Sequence, residues 1–226
     1  RWLQQRDVKI WDEWEIDENG YWNATQLLPD ENGSLVKQQV HKFFGREFAH
    51  TIGTAYGYIV NKFKMTQELI DKIQNHPEDR RMVMTLWQND YLDTAVLPSC
   101  VWSSEWDVTN GRLNCWVHQR SCDVPLGLPF NVTQYAVLLS MLAHVSGLKP
   151  GTIDWSIKDA HIYVNQVAGI KEQLSRLEKQ GDLPAPKLWL NPEVKDFFAF
   201  DNSRDIKDIK LIYYKHMGKI TFPIAQ

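Results

Sequence analysis

Alternation of apolar and polar residues is clearest over residues 101–119, where VWSSEWDV and RLNCWVHQR flank Asn110-Gly111. Asn-Gly is the preferred centre of a two-residue type I′ turn, because both positions need positive φ, so this stretch predicts a β-hairpin. Pairing Thr109 with Arg112 places Val108 opposite Leu113, Trp106 opposite Cys115 and Ser104 opposite Val117. Continued outward, the register sets Cys100 opposite Ser121 and Val101 opposite Arg120. Cys100 and Arg120 then approach at the open end. In a regular ladder they point to opposite faces, and a β-bulge would bring them together.

Elsewhere the period is helical. Val132, Tyr135, Ala136, Leu139 and Ala143 predict a buried helix over about 132–146. Asn131 reads as its N-cap, with Gln134 completing a capping box, and Gly147 as its C′ residue. A second helix is expected over about 166–180, closing at Gly181, and a short one over about 66–75, capped by Thr66 and ended by His76-Pro77. Short apolar runs predict strands at 82–87, 152–155, 187–190, 210–214 and 220–222. Residues 19–50 are polar and punctuated by Gly and Pro; they read as an insertion or long excursion, part-helical around 35–44. Strands and helices mix without strict βα alternation, which predicts an α+β fold.

Charge narrows the function classes. Twenty-five Lys and Arg against 28 Asp and Glu give a net charge of −3, which offers no electrostatic argument for non-specific DNA binding. No apolar run approaches the ~20 residues of a membrane-spanning helix, and RWLQQRDVKIWDEW lacks a signal-peptide core. Three Cys cannot form a disulfide framework, which points to a reducing, cytoplasmic setting. Without CxxC or HExxH there is little support for a metal site. The chain opens abruptly on aromatic residues with no initiator Met, as though an upstream part of the fold preceded it.

The candidate chemistry centres on Cys100. Most Cys are small buried hydrophobes, and Cys115, facing Trp106, fits that description. Cys100 differs because the hairpin brings Arg120 near it, and a guanidinium favours the nucleophilic thiolate. Arg120 and Ser121, with Arg80-Arg81, supply guanidiniums and a hydroxyl suited to a phosphate. Taken singly, Arg80-Arg81 reads as a solvated pair. His161 and Tyr163, at i and i+2, share one face of a strand, where either could equally be a satisfied core group. Trp11 and Trp14, at i and i+3, read most simply as packing on one helical face.

These residues lie in strings that resemble one family. HQRSCDVPLGLPFNVTQYAVLLSMLAHVSGL, the upstream Leu97-Pro98-Ser99-Cys100 and the downstream KDAHIYVNQ occur in the order found in thymidylate synthases. IWDEW, TAYG, HPEDRR, LWLNPEVKDF and the terminal FPIAQ fit the same family. The resemblance implies a single α+β domain over 1–226, with 19–50 as a variable insertion and a large mixed sheet whose face packs against a second copy. It implies conversion of dUMP and 5,10-methylenetetrahydrofolate to dTMP and dihydrofolate.

Roles follow position by position. Cys100 resembles the nucleophile that adds to uracil C6, and Arg120 the arginine that contacts thiol and phosphate. Ser121 is similar to a phosphate ligand; Arg80 and Arg81 resemble the pair donated to the partner's phosphate site. Asn131 resembles the residue that reads the pyrimidine, donating to O4 and accepting from N3–H. His161 and Tyr163 match the ribose ligands, Asp123 the pterin ligand whose backbone also lies at the pyrimidine, and Tyr56 the tyrosine implicated in C5 proton removal. Trp11, Trp14, Leu126, Gly127 and Phe130 match the folate wall, and Ile224 and Ala225 the closing tail.

Two positions depart from the pattern. Val101 follows the nucleophile where many members carry His, and Gln226 ends the chain where an aliphatic residue is common. The family's catalytic Glu and a further phosphate-binding Arg are expected upstream of residue 1. Two rivals stand beside this reading: a pyrimidine nucleotide hydroxymethylase of the same family, and an inactive nucleotide- or RNA-binding relative. A generic cysteine hydrolase has less support, because no His forms an independent Cys/His motif.

Overall fold

The structure is a computed structural model that describes residues 12–203 and 205–224. It has the mixed α and β content expected, arranged as two compact units. Of the described residues, one takes those up to Thr66 and then Thr85–Trp102; the other takes Gln67–Met84 and those from Ser103 to Ile224.

In the first unit β1 (Tyr21–Pro29) and β2 (Leu35–Phe43) pair antiparallel, from Tyr21↔Phe43 to Pro29↔Leu35. The helical character expected around 35–44 is therefore replaced by a strand. The local reason is the turn: Asp30 Oδ1 accepts the N–H groups of Asn32 at 2.9 Å and Ser34 at 2.8 Å, which reverses the chain. At the hairpin base Asp17 accepts from the N–H groups of Asn19 and Tyr21, both at 2.9 Å. Ile16, Trp22 and Phe44 form the buried cluster beneath, with Trp14, Phe48 and Val96 against it. Burying a side chain such as Ile16 contributes ~1.5–3 kcal/mol. Trp14 stacks on Trp22 with ring centroids 5.2 Å apart, rather than on a helical neighbour; Trp11 lies outside the described residues. A short helix, α1 (Gly57–Lys62), follows Tyr56.

The chain enters the second unit along α2 (Met65–Asn75), whose first residue precedes Thr66, so Thr66 lies inside the helix and is not its cap. β3 (Val83–Thr85) and β4 (Val101–Thr109) carry the chain between the units. With β5 (Arg112–Gln119) and β7 (Lys149–Ile157) they form a mixed sheet in the order β3-β4-β5-β7. The β4–β5 turn is as expected, with Asn110 at φ 52° and Gly111 at φ 70°. Asn114 Nδ2 donates to Asp107 Oδ1 at 3.0 Å, a directly opposed pair in the expected register. Leu113, Cys115, Val117 and Gln119 alternate inward and are all buried, whereas Ser103 and Ser104 are buried consecutively. That interrupts the alternation of β4 in the manner of a bulge.

β5 and β7 are parallel, joined by α3 (Gly127–Val145). This helix starts before Asn131, so Asn131 is inside its first turns and is not its N-cap. Pro129 accounts for the earlier start: in a first turn its missing N–H costs nothing and its φ suits the helix. At the far end Leu148 N–H donates to the Ala143 carbonyl at 2.9 Å and Gly147 N–H to that of His144 at 3.3 Å, a Schellman closure on the expected Gly147. Tyr135 packs between Trp106 and Trp155, at centroid distances of 6.4 and 5.4 Å.

Beyond the sheet, β6 (Cys122–Asp123) and β8 (Ala160–His161) pair in parallel and set Asp123 beside His161. α4 (Val167–Gln180) closes at Gly181, and β9 (Lys187–Leu190) pairs with β10 (Ile209–Ile212). Residues 220–222 are not a strand.

Candidate functional site

In the first unit Cys100 immediately precedes β4 and is half-buried. Its backbone N–H donates to Tyr56 Oη at 2.8 Å, so residues 44 positions apart are joined. Tyr56 sits at φ 43° and ψ −101°, which a non-glycine residue rarely adopts. The Cys100 backbone and the Tyr56 phenol are thus held together at the start of α1. The other two thiols differ. Cys115 and Cys122 are buried, and no disulfide is present among the three. Burial, reinforced by the Asp107 carboxylate, pushes the Cys115 thiol far up, so it stays protonated at neutral pH.

In the second unit a buried polar relay lies behind Asn131. The Trp155 indole N–H donates to Gln119 Oε1 at 2.9 Å. An indole nitrogen can only donate, so the Gln119 amide is fixed with Nε2 on the other side. That nitrogen donates to the Ser121 carbonyl at 2.9 Å and to Asn131 Oδ1 at 3.2 Å. Asn131 is in turn fixed: its carbonyl oxygen faces Gln119, and its Nδ2 donors face away. The relay was not read from the sequence. Its one local signal is Gln119 itself, a polar residue in the inward phase of Leu113, Cys115 and Val117.

Asp123 is held at both oxygens. Oδ1 accepts the Leu126 N–H at 3.0 Å and Oδ2 accepts Gln166 Nε2 at 2.8 Å. The first bond supplies an acceptor to the open N-terminus of α3, where Leu126, Gly127 and Phe130 lie. Phe130 is 56% exposed and Ile224 50% exposed, so both offer apolar surface to a ligand. Ala225 lies outside the described residues. Arg120 and Ser121 follow β5, both half-buried. Strand β8 ends at His161, so Tyr163 does not share a strand face with it. The rings still meet edge to face at 4.8 Å. His161 Nδ1 is buried and makes no hydrogen bond among the described residues, although the Asp159 carboxylate lies 3.5 Å away.

Arg80 and Arg81 occupy the exposed turn after α2. Arg81 Nε donates to Asp79 Oδ1 at 2.9 Å, and that bond holds the Asp79 carboxyl below its usual range. The Arg81 side chain remains 86% exposed. Among the described residues no group of three or more His, Cys, Asp or Glu could hold a metal ion, and no helix is long and apolar enough to cross a membrane.

Comparison with known proteins points one way. The profile of the family described as Thymidylate synthase matches residues 1–226. A thymidylate synthase from Clostridium beijerinckii is 44% identical over 223 residues, covering 99% of this chain and 71% of that protein. One from Bacillus atrophaeus is 37% identical over 209 residues, 88% of each. Among solved structures, thermostable thymidylate synthase A from Bacillus subtilis superposes with a TM-score of 0.74 at 34% identity, over 98% of this chain and 69% of that one.

Proposed function

The chain belongs to the thymidylate synthase family, methyltransferases that convert dUMP to dTMP with 5,10-methylenetetrahydrofolate as co-substrate, and from that premise we propose how its residues divide the work. Residues 1–226 act as one thymidylate synthase domain. The difficulty of the reaction lies in uracil C5, which is a poor nucleophile. Addition of the Cys100 thiolate at C6 converts C5 to an enolate carbon, which attacks the one-carbon unit of the folate. Loss of the C5 proton breaks the bond from the one-carbon unit to the folate nitrogen and leaves an exocyclic methylene; hydride transfer to it from the freed tetrahydropterin, with expulsion of Cys100, completes the methyl group and leaves dihydrofolate. Tyr56 serves the proton removal through water. Its hydrogen bond to the Cys100 N–H supports a shared position for phenol and nucleophile.

Asn131 reads the pyrimidine, with Nδ2 donating to O4 and Oδ1 accepting N3–H. The observation that carries this assignment is the Trp155–Gln119–Asn131 relay, which prevents the amide from flipping to the pattern that cytosine would need. Arg120 and Ser121 bind the 5′-phosphate, and His161 and Tyr163 the ribose. Asp123 receives the pterin N–H groups, while Trp11, Trp14, Leu126, Gly127 and Phe130 stack on the folate. Ile224 and Ala225 close over it and exclude water. The protein works as a homodimer in which Arg80 and Arg81 reach the partner's phosphate. The 86% exposure of the Arg81 side chain supports such a reach. We place it in the cytoplasm, which three thiols without a disulfide support.

The test is Cys100→Ala in the full-length protein. dTMP formation should fall by ~10³-fold or more while dUMP still binds. Near-wild-type turnover in that variant would overturn the assignment.

A further inference from the structure

Gln166 lies just before α4 and is fully buried. The orientation of its carboxamide is dictated by one neighbour: Oε1 accepts the Tyr163 N–H at 3.1 Å, and a backbone N–H can only donate. Nε2 therefore faces the other way. It donates to Asp123 Oδ2 at 2.8 Å and to the Pro223 carbonyl at 3.3 Å. Two N–H donors meet two acceptors, so both are used. Neither an acid nor an apolar residue could replace this set, because neither supplies two donors.

A second contact ties down the same stretch of chain independently. A Cβ on Gly169 would stand 2.5 Å from Phe222 Cε1, closer than such atoms approach, so the bare backbone of α4 is what lets the Phe222 ring lie there. Phe222 and Pro223, adjacent residues just before Ile224, are thus seated on one turn, 166–169. The same turn holds the carboxylate of Asp123.

We propose that Gln166 is a positioning residue that couples the carboxy-terminal segment to folate binding. It aims the Asp123 carboxylate and seats Pro223 through one amide, so the carboxylate that receives the pterin and the tail that closes over it take up position together. The inference rests on reading Asp123 and Ile224 as folate contacts. Gln166 touches neither substrate nor reacting atoms; it acts through Asp123 and Pro223.

The test uses the full-length protein and four variants. Gln166→Met keeps the side-chain volume and removes the polar atoms. It should raise the folate KM by about 10-fold or more and weaken dUMP binding less, since Asp123 loses a hydrogen bond to a charged group whereas Tyr163, on the ribose side, loses only a neutral one from its N–H. It should also speed carboxypeptidase removal of the last residues from the complex with dUMP and folate. Gln166→Glu keeps the acceptor for the Tyr163 N–H but sets an oxygen against Asp123 and Pro223. Its folate KM should be worse than that of Gln166→Met at pH 8 and recover as the pH falls, because protonation restores one donor. A merely structural role would not produce that profile. Gly169→Ala should release the tail to carboxypeptidase with a smaller change in folate KM. If Gln166→Met does not fold, the pH profile of Gln166→Glu and the tail digestion of Gly169→Ala decide the matter. Asp123→Asn separates the two layers of the argument. If it leaves folate KM unchanged, the reading of Asp123 falls. If it raises folate KM while Gln166→Met matches wild type in folate KM and tail digestion, the role of Gln166 is overturned.

Discussion

The β1–β2 hairpin and the relay behind Asn131 are both dense in polar side chains, yet they are built differently. In the hairpin Asp17 Oδ2 accepts from Asn23 Nδ2 at 2.8 Å, and Asn23 Oδ1 contacts His41 Nδ1 at 2.5 Å; both contacts are exposed. Water can replace any of them, so each is worth little. In the relay Gln119 is 2% exposed and its amide is committed to Trp155, Ser121 and Asn131. No water stands ready there, and an unpaired buried group costs ~1–3 kcal/mol. The difference teaches where geometry is enforced: the exposed network decorates a protruding strand pair, whereas the buried one fixes which way an amide points.

The comparison breaks first at Asn131. Asn131→Asp should lower kcat/KM for dUMP by ~100-fold or more and shift competition towards dCMP, because the acid accepts where the amide donates. An unchanged preference in a mixed-substrate assay would remove the pyrimidine-reading role. Next comes Gln119→Met, which strands the Trp155 N–H and two acceptors. It should destabilise the protein by about 3 kcal/mol in urea unfolding and erode dUMP discrimination along with stability. A loss of stability with discrimination intact would make the relay a packing feature only.

A third prediction concerns the thiols. Iodoacetamide under native conditions should label Cys100 and spare Cys115 and Cys122, which are 2% and 1% exposed. Equal labelling of all three would contradict the burial pattern. A fourth sharpens the comparison through pH. Asp208 is 4% exposed and accepts from Asn191 Nδ2 at 2.8 Å and the Asp201 N–H at 2.9 Å, and the Asn191 bond most strongly holds its pKa below the ordinary 3.8. A depressed folded pKa means stability that is present above the unfolded value and lost as the pH falls through it. Asp208→Asn should therefore flatten the fall of Tm below about pH 4. The smallest effects belong to the hairpin: His41→Ala should change stability by less than about 0.5 kcal/mol and leave dTMP formation unchanged. A larger change would mean the exposed network carries more than its solvation suggests.

How much could be read from the chain follows the same division. The β4–β5 hairpin was legible because its signals are local: a period of two on either side of Asn-Gly. The end of α3 was legible for the same reason, a Gly at C′. Its start was not, because Asn131 and Gln134 have the spacing of a capping box while the helix begins four residues earlier, with Pro129 tolerated in its first turn. The β1–β2 hairpin was missed because its strands are mostly exposed, so the apolar alternation that marks a strand is faint. For the candidate site, the resemblance reached the residues proposed to meet substrate: Cys100, Arg120, Asp123 and Asn131. It did not reach those behind them. Gln119 meets Trp155 across 36 residues, Gln166 meets Asp123 across 43 and Pro223 across 57. Contacts at such separations leave no periodic trace, and a buried Gln in a polar string looks like any other.

The most direct test of the central claim is mass spectrometry of the full-length protein incubated with 5-fluoro-dUMP and 5,10-methylenetetrahydrofolate. Fluorine at C5 cannot leave as a proton does, so the reaction should stop with enzyme, nucleotide and folate covalently joined. Peptide mapping should then find the nucleotide and folate masses together on Cys100. An unmodified Cys100 after that incubation, or an adduct on Cys115 or Cys122, would contradict the account.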